Sequence, residues 1–440
     1  MLEILIFLIN LQIIYSSNYQ QDELLHTPLM GWSSWAAFGC NPCLAYHYDK
    51  CLCQTGIETI ANLLVDEGFR DVGYRYIILD DCWQDKIRDD AYRLQPNKNR
   101  FPNGMWPVVD YVHNKNLKLG IFTDLGMFSG QRFPGSKGFF KLDANTFANW
   151  GVDYIKVSAA SAKKDNIESD YIEFGIYIKE ANRKMIYATS WPAYLYFYEY
   201  TINYVALKNT CDTWRFYYDT GNDWSSILGV MDFYAEKQAQ LRHIANDGKW
   251  NDADILAIGF DGITNDQAKA QIAVWCLIQS SLIFSTDIRK LTFEQKSILK
   301  NKEIIEIHQD ISTKPGYKLF QHNCIDVWIR TISPSSDGYF SYAIAFVNRN
   351  ESSGTVIYHI ELRDLGLDYI NGYEVTDVFA PENSSSRVQL MFPHTKLHAY
   401  IKPSGVAFFK AKININSNNN LNNNPLFLTF SNNEIVRYNY

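Results

Sequence analysis

The sequence predicts a (β/α)8 barrel followed by an antiparallel β domain, and three observations indicate this α/β fold class. The chain has 440 residues, 47% of them hydrophobic, which is enough to bury more than one core. From residue 28 to about 290, short β-rich runs alternate with longer helical stretches. After about residue 312, period-two segments are separated by Ser, Gly, Asn and Pro, which is typical of antiparallel strands.

Eight predicted strands favour a closed barrel for the first region. They are Leu29–Trp32, Tyr74–Leu79, Lys118–Thr123, Asp153–Ser158, Met185–Ser190, Thr213–Tyr217, Ile255–Ile258 and Leu282–Ser285. Apolar residues at helical spacing predict helices in residues 54–68, 145–150 and 265–276. A doubly wound sheet is the alternative, but it usually carries a glycine-rich phosphate loop after its first strand, and this sequence has none there.

The second region predicts an antiparallel β-sandwich over residues 312–412, after a barrel over residues 18–311. Its strands are expected within Asp326–Ile332, Tyr339–Asn348, Thr355–Leu362 and Ala399–Lys410. Residues 413–440 contain an Asn-rich low-complexity stretch, so we expect a linker and tail there.

The N-terminus predicts a signal peptide over residues 1–17. Its apolar run is too short to span a bilayer, and a polar stretch follows at once. A hydrophobic N-terminal strand is the alternative. The rest of the sequence has no apolar run long enough for a membrane span, so we expect none after removal of the signal.

Eight cysteines, four of them within residues 40–53, indicate disulfides formed in an oxidising compartment. A zinc knuckle is the alternative, but neither a His pair nor a second Cys pair completes a ligand set. Glycosylation sequons begin at Asn350 and Asn383. The chain is therefore expected in the secretory pathway, as a secreted, vacuolar or lysosomal protein.

Charge and aromatic content narrow the function further. The net charge of −7 argues against a nucleic-acid partner, because no basic surface is available to displace counterions. Asp80 and Asp81 end a predicted strand beside Trp83. A carboxylate accepts hydrogen bonds from vicinal hydroxyls while a Trp ring covers a sugar's apolar face. The alternative for Asp81 is a helix N-cap.

Several collinear motifs resemble glycoside hydrolase family 27, the family of lysosomal α-galactosidase and α-N-acetylgalactosaminidase. They are TPLMGWSSW (27–35), LDDCWQ (79–84), RFPNG (100–104), LKLGIFTDLG (117–126), GVDYIKV (151–157), WNDADILAIG (250–259) and STDIR (285–289). The resemblance implies hydrolysis of terminal α-linked galactose or N-acetylgalactosamine with retention, through a nucleophilic carboxylate and an acid/base carboxyl. It implies no metal and no organic cofactor.

The resemblance also implies a role for individual residues. Asp219 corresponds to the acid/base, with Asp223 as the alternative. The residues implied in sugar binding are Trp35, Asp80, Asp81, Lys156, Tyr194, Arg215 and Asp254.

The family's nucleophilic Asp is replaced by Ser158. Strand alternation puts Ser158 on the same face as Lys156, in the nucleophile's place. A neutral hydroxyl supplies no charge to an oxocarbenium-like transition state, so hydrolysis is expected to be weak or absent. The alternatives are a Ser158–Lys156 nucleophile pair, an inverting route through water, or rescue by a carboxylate of the next loop. The loop carboxylates are Asp165, Glu168 and Asp170.

Other departures from the family pattern lie near the same point. Phe122 replaces a tyrosine, and Ala160 stands where the family has a cysteine that pairs with the loop near Phe128–Ser129. Thr189 replaces the partner of Cys211, which is therefore expected to be a thiol. The disulfides that the resemblance implies are Cys40–Cys82 and Cys43 with either Cys51 or Cys53.

Specificity and partners follow from the same resemblance. Ser190 and Ala193 match the N-acetylgalactosaminidase version of their loop, where small residues leave room for an acetamide. Drift is the alternative explanation. The expected partners are α-galactoside or α-N-acetylgalactosaminide glycans and glycolipids, and family members often form homodimers. Three hypotheses remain: a sugar-binding protein with little turnover, a working exo-α-glycosidase, and a scaffold without sugar binding.

Overall fold

The computed structural model of the chain describes residues 25–43, 48–198, 200–245, 248–352, 354–381, 383–384 and 387–415. The predicted signal peptide (1–17) lies outside the described residues, as do residues 416–440 of the predicted tail. Within the described part of the chain, no helix combines the length and the apolar character needed to cross a bilayer.

The first sheet is a barrel of parallel strands. Its eight strands are β1 (Met30–Ser33), β2 (Tyr76–Leu79), β3 (Lys118–Asp124), β4 (Tyr154–Ser158), β5 (Ile186–Thr189), β6 (Thr213–Arg215), β7 (Trp250–Asp252) and β8 (Leu282–Phe284). Strands β1 to β7 pair in chain order, and β8 pairs with β1. Just after β7, the Leu256 N–H donates to the Ile283 carbonyl at 2.7 Å and closes the ring. The predicted (β/α)8 barrel is confirmed.

Helices surround this sheet and join its strands. The α-helices are α1 (Trp35–Phe38), α2 (Gln54–Asp66), α3 (Trp106–His113), α4 (Phe140–Trp150), α5 (Ile167–Glu180), α6 (Trp191–Phe197), α7 (Tyr204–Thr210), α8 (Trp224–Ile244), α9 (Asn265–Leu277), α10 (Phe293–Leu299) and α11 (Lys302–Gln309). The 3-10 helices are Tyr48–Lys50, Lys164–Asn166, Ile288–Lys290 and Leu362–Leu365. A capping box sets the start of α9, since Thr264 and Gln267 each accept the other's backbone N–H.

The barrel interior changes character along its axis. Tyr76, Ile78 and Tyr154 belong to a buried apolar cluster inside the barrel. Alternate residues of a strand share a face, so the face of β4 that carries Tyr154 continues to Lys156 and Ser158. The interior is thus apolar through the barrel and polar at the carboxyl ends of the strands.

The C-terminal region consists of antiparallel sheets. Its strands are β9 (Tyr317–His322), β10 (Ile325–Ser336), β11 (Tyr339–Asn348), β12 (Val356–Glu361), β13 (Tyr373–Asp377), β14 (Val388–Met391), β15 (Lys396–Ile401) and β16 (Val406–Ile413). Six of them form one sheet in the order β14-β13-β16-β11-β10-β9, and β12 pairs with β15 in a second. Phe346 and Phe409 from the large sheet share a core with Leu397 and Ile401 from the small one. The predicted antiparallel β-sandwich is confirmed.

The large C-terminal sheet also packs on the barrel. Trp328 and Phe408 are fully buried in the same apolar cluster as the barrel helices. Arg349 adds an ionic link, because its guanidinium lies 2.7 Å from Asp232 of α8 and 2.8 Å from Asp326 of β10. Among the described residues of this cluster, the large sheet supplies the strand side chains that pack on the barrel.

Two strand predictions were wrong in placement. The seventh barrel strand is Trp250–Asp252, whereas the predicted segment Ile255–Ile258 is a loop that forms a single bridge at Leu256. Leu256, Ala257 and Ile258 are buried in the core between sheet and helices, and Ile255 in the cluster inside the barrel, which gives the loop the composition of a strand. The predicted strand Ala399–Lys410 is split into β15 and β16 by a turn at residues 402–405. Strands β9, β13 and β14 were not predicted.

Candidate active site

A cavity of about 230 Å³ opens at the carboxyl ends of the barrel strands. It is smaller than the roughly 300–1,000 Å³ of pockets for drug-sized ligands, which suits a single sugar ring. Ten residues singled out from the sequence line it: Trp35, Asp80, Asp81, Lys156, Ser158, Ser190, Tyr194, Arg215, Asp219 and Asp254. The barrel therefore brings distant parts of the chain to one site, at the end where barrel enzymes carry their reactive groups.

Asp80 and Lys156 form an ion pair in the wall of this cavity. The Lys156 ammonium lies 2.8 Å from an Asp80 oxygen, and the Asp80 side chain is only 7% exposed. The other Asp80 oxygen accepts the Asp81 N–H at 2.9 Å. Burial lowers the pKa of Lys156, but the carboxylates of Asp80 and Asp254 outweigh burial and raise that pKa above its usual value. Lys156 therefore remains a cation that fixes the position of Asp80.

Asp81 is held mainly by backbone donors. Its carboxylate accepts the Cys82 N–H at 2.8 Å and the Gln131 N–H at 3.3 Å. Burial raises the pKa of Asp81, and a hydrogen bond from Ser129 acts in the opposite direction. The disulfide Cys40–Cys82 fixes the adjacent residue. Asp81 is thus positioned by its loop, with no cation among the partners of its carboxylate in the described structure.

Trp35, Phe122 and Tyr194 supply the aromatic surface of the cavity. Trp35 begins α1 and is 42% exposed, whereas Phe122 on β3 is buried. A half-exposed indole at the cavity wall can stack on the apolar face of a sugar ring. Phe122 offers the cavity an apolar edge and no hydroxyl.

Ser158 lies at the end of β4, next to a carboxylate that the sequence analysis did not single out. Its hydroxyl is 2.8 Å from the Tyr194 hydroxyl. Its register partner on β3 is Asp124, and the Ser158 hydroxyl favours the charged form of that carboxyl. Asp124 is fully buried, and burial raises its pKa although the Gly126 and Ala160 N–H groups both donate to it. The end of β4 therefore presents a neutral hydroxyl that is paired with the hydroxyl of Tyr194.

Asp219 is the carboxylate at the open side of the cavity. It forms an ion pair with Arg215, four residues earlier, and its side chain is 78% exposed. The Arg215 guanidinium in turn lies 6.0 Å from the centre of the Tyr194 ring. The alternative acid/base, Asp223, is the N-cap of α8 and accepts the Ser226 N–H at 2.9 Å. The geometry therefore favours Asp219, because the Asp223 side chain is used to begin a helix.

Asp254 and Asp252 form a carboxylate pair at the end of β7. Asp254 accepts the Thr220 N–H at 2.7 Å and has a left-handed φ of 69°. Its own N–H donates to Asp252 at 3.0 Å. Burial, reinforced by the negative charge of Asp254, raises the pKa of Asp252 to about 6. Asp252 therefore titrates in mildly acidic conditions, just beneath the sugar-binding carboxylates.

Replacing Asp252 with Asn is expected to flatten the pH dependence of stability. The pKa of about 6 in the folded protein compares with an ordinary value of about 4 in an unfolded chain. A raised carboxyl pKa stabilises the fold fully below about pH 4, and this contribution is lost as pH rises through about 6. The melting temperature of the native chain should therefore fall from pH 4 to 7 relative to that of Asp252→Asn. Parallel curves for the two proteins would contradict this expectation.

The three loop carboxylates considered as substitutes for the nucleophile have their hydrogen-bond partners outside the cavity. Asp170 of α5 lies 2.6 Å from the Lys137 ammonium. Asp165 accepts the Tyr200 hydroxyl at 2.8 Å, and Glu168 accepts a weak hydrogen bond from Asn203 at 3.4 Å. None of these three carboxylates is among the cavity-lining residues of the described structure. This arrangement gives no support to the alternative in which one of these carboxylates acts in place of Ser158.

Two disulfides are present near the site, Cys40–Cys82 and Cys43–Cys51. Of the two partners considered for Cys43, the structure therefore has Cys51. The Cys53 sulfur lies within 4.8 Å of the Cys43 and Cys51 sulfurs, but those two are bonded to each other rather than to a zinc ion. Cys53 instead accepts the Gly56 N–H and begins α2.

Cys211 is a buried thiol, as the sequence predicted from the loss of its partner. It accepts a hydrogen bond from the Thr189 hydroxyl at 3.4 Å. Burial raises the pKa of Cys211 to about 12. Farther from the cavity, Asn350 and Asn383 of the two sequons are both exposed and so accessible to glycosylation.

Ser190 and Ala193 lie together at the start of α6. Ser190 precedes the helix and lines the cavity, whereas Ala193 is buried and is not among its lining residues. Each of the two residues is 3% exposed. Ser190 is therefore the residue of this pair that borders the cavity directly.

A family sequence model described as Alpha galactosidase A matches residues 27–310. Alpha-galactosidase A of Homo sapiens is 36% identical over 346 residues, which cover 78% of this chain and 79% of that protein. Alpha-N-acetylgalactosaminidase of Gallus gallus is 32% identical over 391 residues, which cover 88% of this chain and 94% of that protein.

Among solved structures, alpha-galactosidase I of Mortierella vinacea matches with a TM-score of 0.74 and 22% identity. The match covers 89% of this chain and 98% of that one. This likeness bears on the fold alone.

Proposed function

The chain belongs to the alpha galactosidase A family of glycoside hydrolases, and from this premise we propose that it binds terminal α-linked N-acetylgalactosamine or galactose but hydrolyses such glycosides weakly or not at all. Glycans and glycolipids that end in these sugars are its proposed partners. The proposed location is the secretory pathway, in a lysosome, a vacuole or outside the cell, and a homodimer is the proposed assembly.

The observation that carries this proposal is the contrast within one cavity. The hydroxyl-binding carboxylates Asp80, Asp81 and Asp254 and the proposed acid/base Asp219 all line it. Ser158, which by the resemblance replaces the family's nucleophilic carboxylate, lines the same cavity. Retention requires a carboxyl group on each side of the scissile bond, so the loss of one removes the first chemical step. Binding requires only the groups that remain.

Calorimetry and an activity assay on the same preparation test this proposal. We expect saturable binding of N-acetylgalactosamine or galactose with a millimolar Kd, about −4 kcal/mol. We also expect no release of nitrophenol from the corresponding p-nitrophenyl α-glycosides above the uncatalysed rate. Rapid release would instead establish a working exo-α-glycosidase, and the absence of binding would favour a scaffold.

Replacing Ser190 with Glu is expected to select against N-acetylgalactosamine. Ser190 lines the cavity, and a larger charged side chain there would occupy the space that a 2-acetamido group needs. We expect N-acetylgalactosamine binding to weaken by about tenfold or more, with galactose binding changed much less. Calorimetry with both sugars measures this difference. The matched variant Ser190→Ala should keep both affinities, and an equal loss of both sugars in Ser190→Glu would contradict the assignment.

A further inference from the structure

We propose that this site transfers a β-configured glycosyl group, carrying a compact anionic leaving group, to a hydroxyl acceptor, and so makes α-glycosides that the chain does not hydrolyse. The proposal rests on the sugar-binding function above. It adds an activity, with two substrate classes: an activated β-galactosyl or β-N-acetylgalactosaminyl donor, and an alcohol or sugar acceptor.

A retaining α-glycosidase works in two half-reactions on opposite faces of the sugar. In the first, the nucleophilic carboxylate attacks and leaves the sugar attached in the β configuration. In the second, an incoming hydroxyl attacks the other face while the acid/base residue accepts its proton. Ser158 removes the first half-reaction, whereas Asp219 still lines the cavity for the second. A glycosyl donor that already has the β configuration takes the place of the covalent glycosyl intermediate that this chain cannot form.

The cavity offers space for the leaving group of such a donor. The serine side chain ends at its Oγ, whereas aspartate would extend its oxygens one bond farther into the cavity. Ser158 and Ala160 both line this part of the cavity, and Ala160 is itself smaller than the family's cysteine. A compact anion such as fluoride can therefore occupy the place that a nucleophilic oxygen would fill.

Hydrogen-bond donors are also present at that place. The Ser158 and Tyr194 hydroxyls lie 2.8 Å apart. Either hydroxyl can be the donor in this pair, so one of the two protons can turn to an anion. A departing anion thus finds a neutral donor rather than the negative charge that the family carries there. A nucleophilic carboxylate at position 158 would repel the anionic leaving group of the glycosyl donor. Ser158 carries no such charge in this part of the described cavity.

The reaction balances without any further reagent. The acceptor oxygen forms a bond to the anomeric carbon as the bond from that carbon to the leaving group breaks. The leaving group departs with the bonding pair, and the acceptor proton moves to the Asp219 carboxylate. Asp219 is accessible to an acceptor, since its side chain is 78% exposed. The α-linked product accumulates because its hydrolysis would again require a nucleophile.

The test offers the full chain β-galactosyl fluoride or its 2-acetamido counterpart, with p-nitrophenyl β-galactoside as the acceptor. We expect fluoride release that depends on the acceptor, together with an α-linked disaccharide identified by its anomeric coupling in NMR. Asp219→Asn should lower fluoride release by about 10² or more, as expected for loss of a general base. Asp368→Asn removes an exposed carboxylate of the C-terminal region and should leave the rate unchanged.

The variant Ser158→Asp provides the opposite control, because its carboxylate would fill the leaving group's place and abolish synthesis. If calorimetry shows sugar binding but neither donor releases fluoride, this inference is overturned while the proposed function stands. Release that is equally fast in Asp219→Asn would also overturn it, since the acceptor would then be activated by another group. Absence of sugar binding would remove the proposed function and this inference together.

Discussion

Replacing Ser158 with Asp is expected to raise kcat/KM for α-glycoside hydrolysis by roughly three orders of magnitude or more, about 4 kcal/mol of activation free energy. Ser158 ends β4 in the cavity that Asp219 also lines. A carboxylate at position 158 would restore both the attacking oxygen and the negative charge that stabilises an oxocarbenium-like transition state. Steady-state kinetics with p-nitrophenyl α-galactoside and its 2-acetamido counterpart measure the change.

Ser158→Asn is the matched control for this variant. Asparagine has nearly the size and shape of aspartate but no charge and no nucleophilic oxygen at neutral pH, so it should show no gain. A rate in Ser158→Asp no higher than that of the asparagine variant would mean that the other departures also disable the site. The double variants that combine Ser158→Asp with Phe122→Tyr or with Ala160→Cys would then show whether the tyrosine hydroxyl or the small alanine is responsible.

Replacing Asp80 with Ala is expected to abolish sugar binding and to destabilise the fold. The Lys156 ammonium lies 2.8 Å from Asp80, and the two side chains are 25% and 7% exposed. Removing one member of a buried pair typically costs about 3–5 kcal/mol, because the other charge is left without its partner. We expect the lower end of that range, since Lys156 is partly exposed and Asp254 is near. Urea unfolding and calorimetry measure the two effects.

A double variant separates charge from binding in this prediction. Asp80→Ala combined with Lys156→Met removes both charges, so it should regain most of the lost stability while sugar binding stays absent. Asp90→Ala, at an exposed position in the loop after β2, should change neither property. If Asp80→Ala unfolds at the same urea concentration as the native chain, the ion pair contributes nothing to stability and the prediction fails.

The sequence predicted the barrel well because its parallel strands are short apolar runs separated by helices. It failed at β7, where Trp250–Asp252 is short and polar while the following loop is apolar. Burial, not strand pairing, determines that composition, since Leu256 packs in the core between sheet and helices. The split of Ala399–Lys410 has a similar cause, because its turn at 402–405 occupies only a few residues within an alternating pattern.

The site could be predicted residue by residue only where a motif identified the position. Strand ends correctly indicated which side chains meet, as Asp80 and Lys156 show. Asp124 was missed because its position at the end of a predicted strand does not show what its carboxylate binds. In the structure it accepts backbone N–H groups of Gly126 and Ala160. Ala193 shows the reverse, since the motif suggested a cavity residue and the chain folds it behind the wall. Both outcomes depend on side-chain direction, which sequence periodicity leaves open near loops.

The packing of the large C-terminal sheet on the barrel limits how this protein can be divided. A fragment that ended after α11 would expose the apolar face that Trp328 and Phe408 now cover, and Asp232 would lose its guanidinium partner. Such a shortened protein would tend to aggregate when expressed, even though the whole cavity lies within it. Heating the intact protein should accordingly melt both halves in a single calorimetric peak.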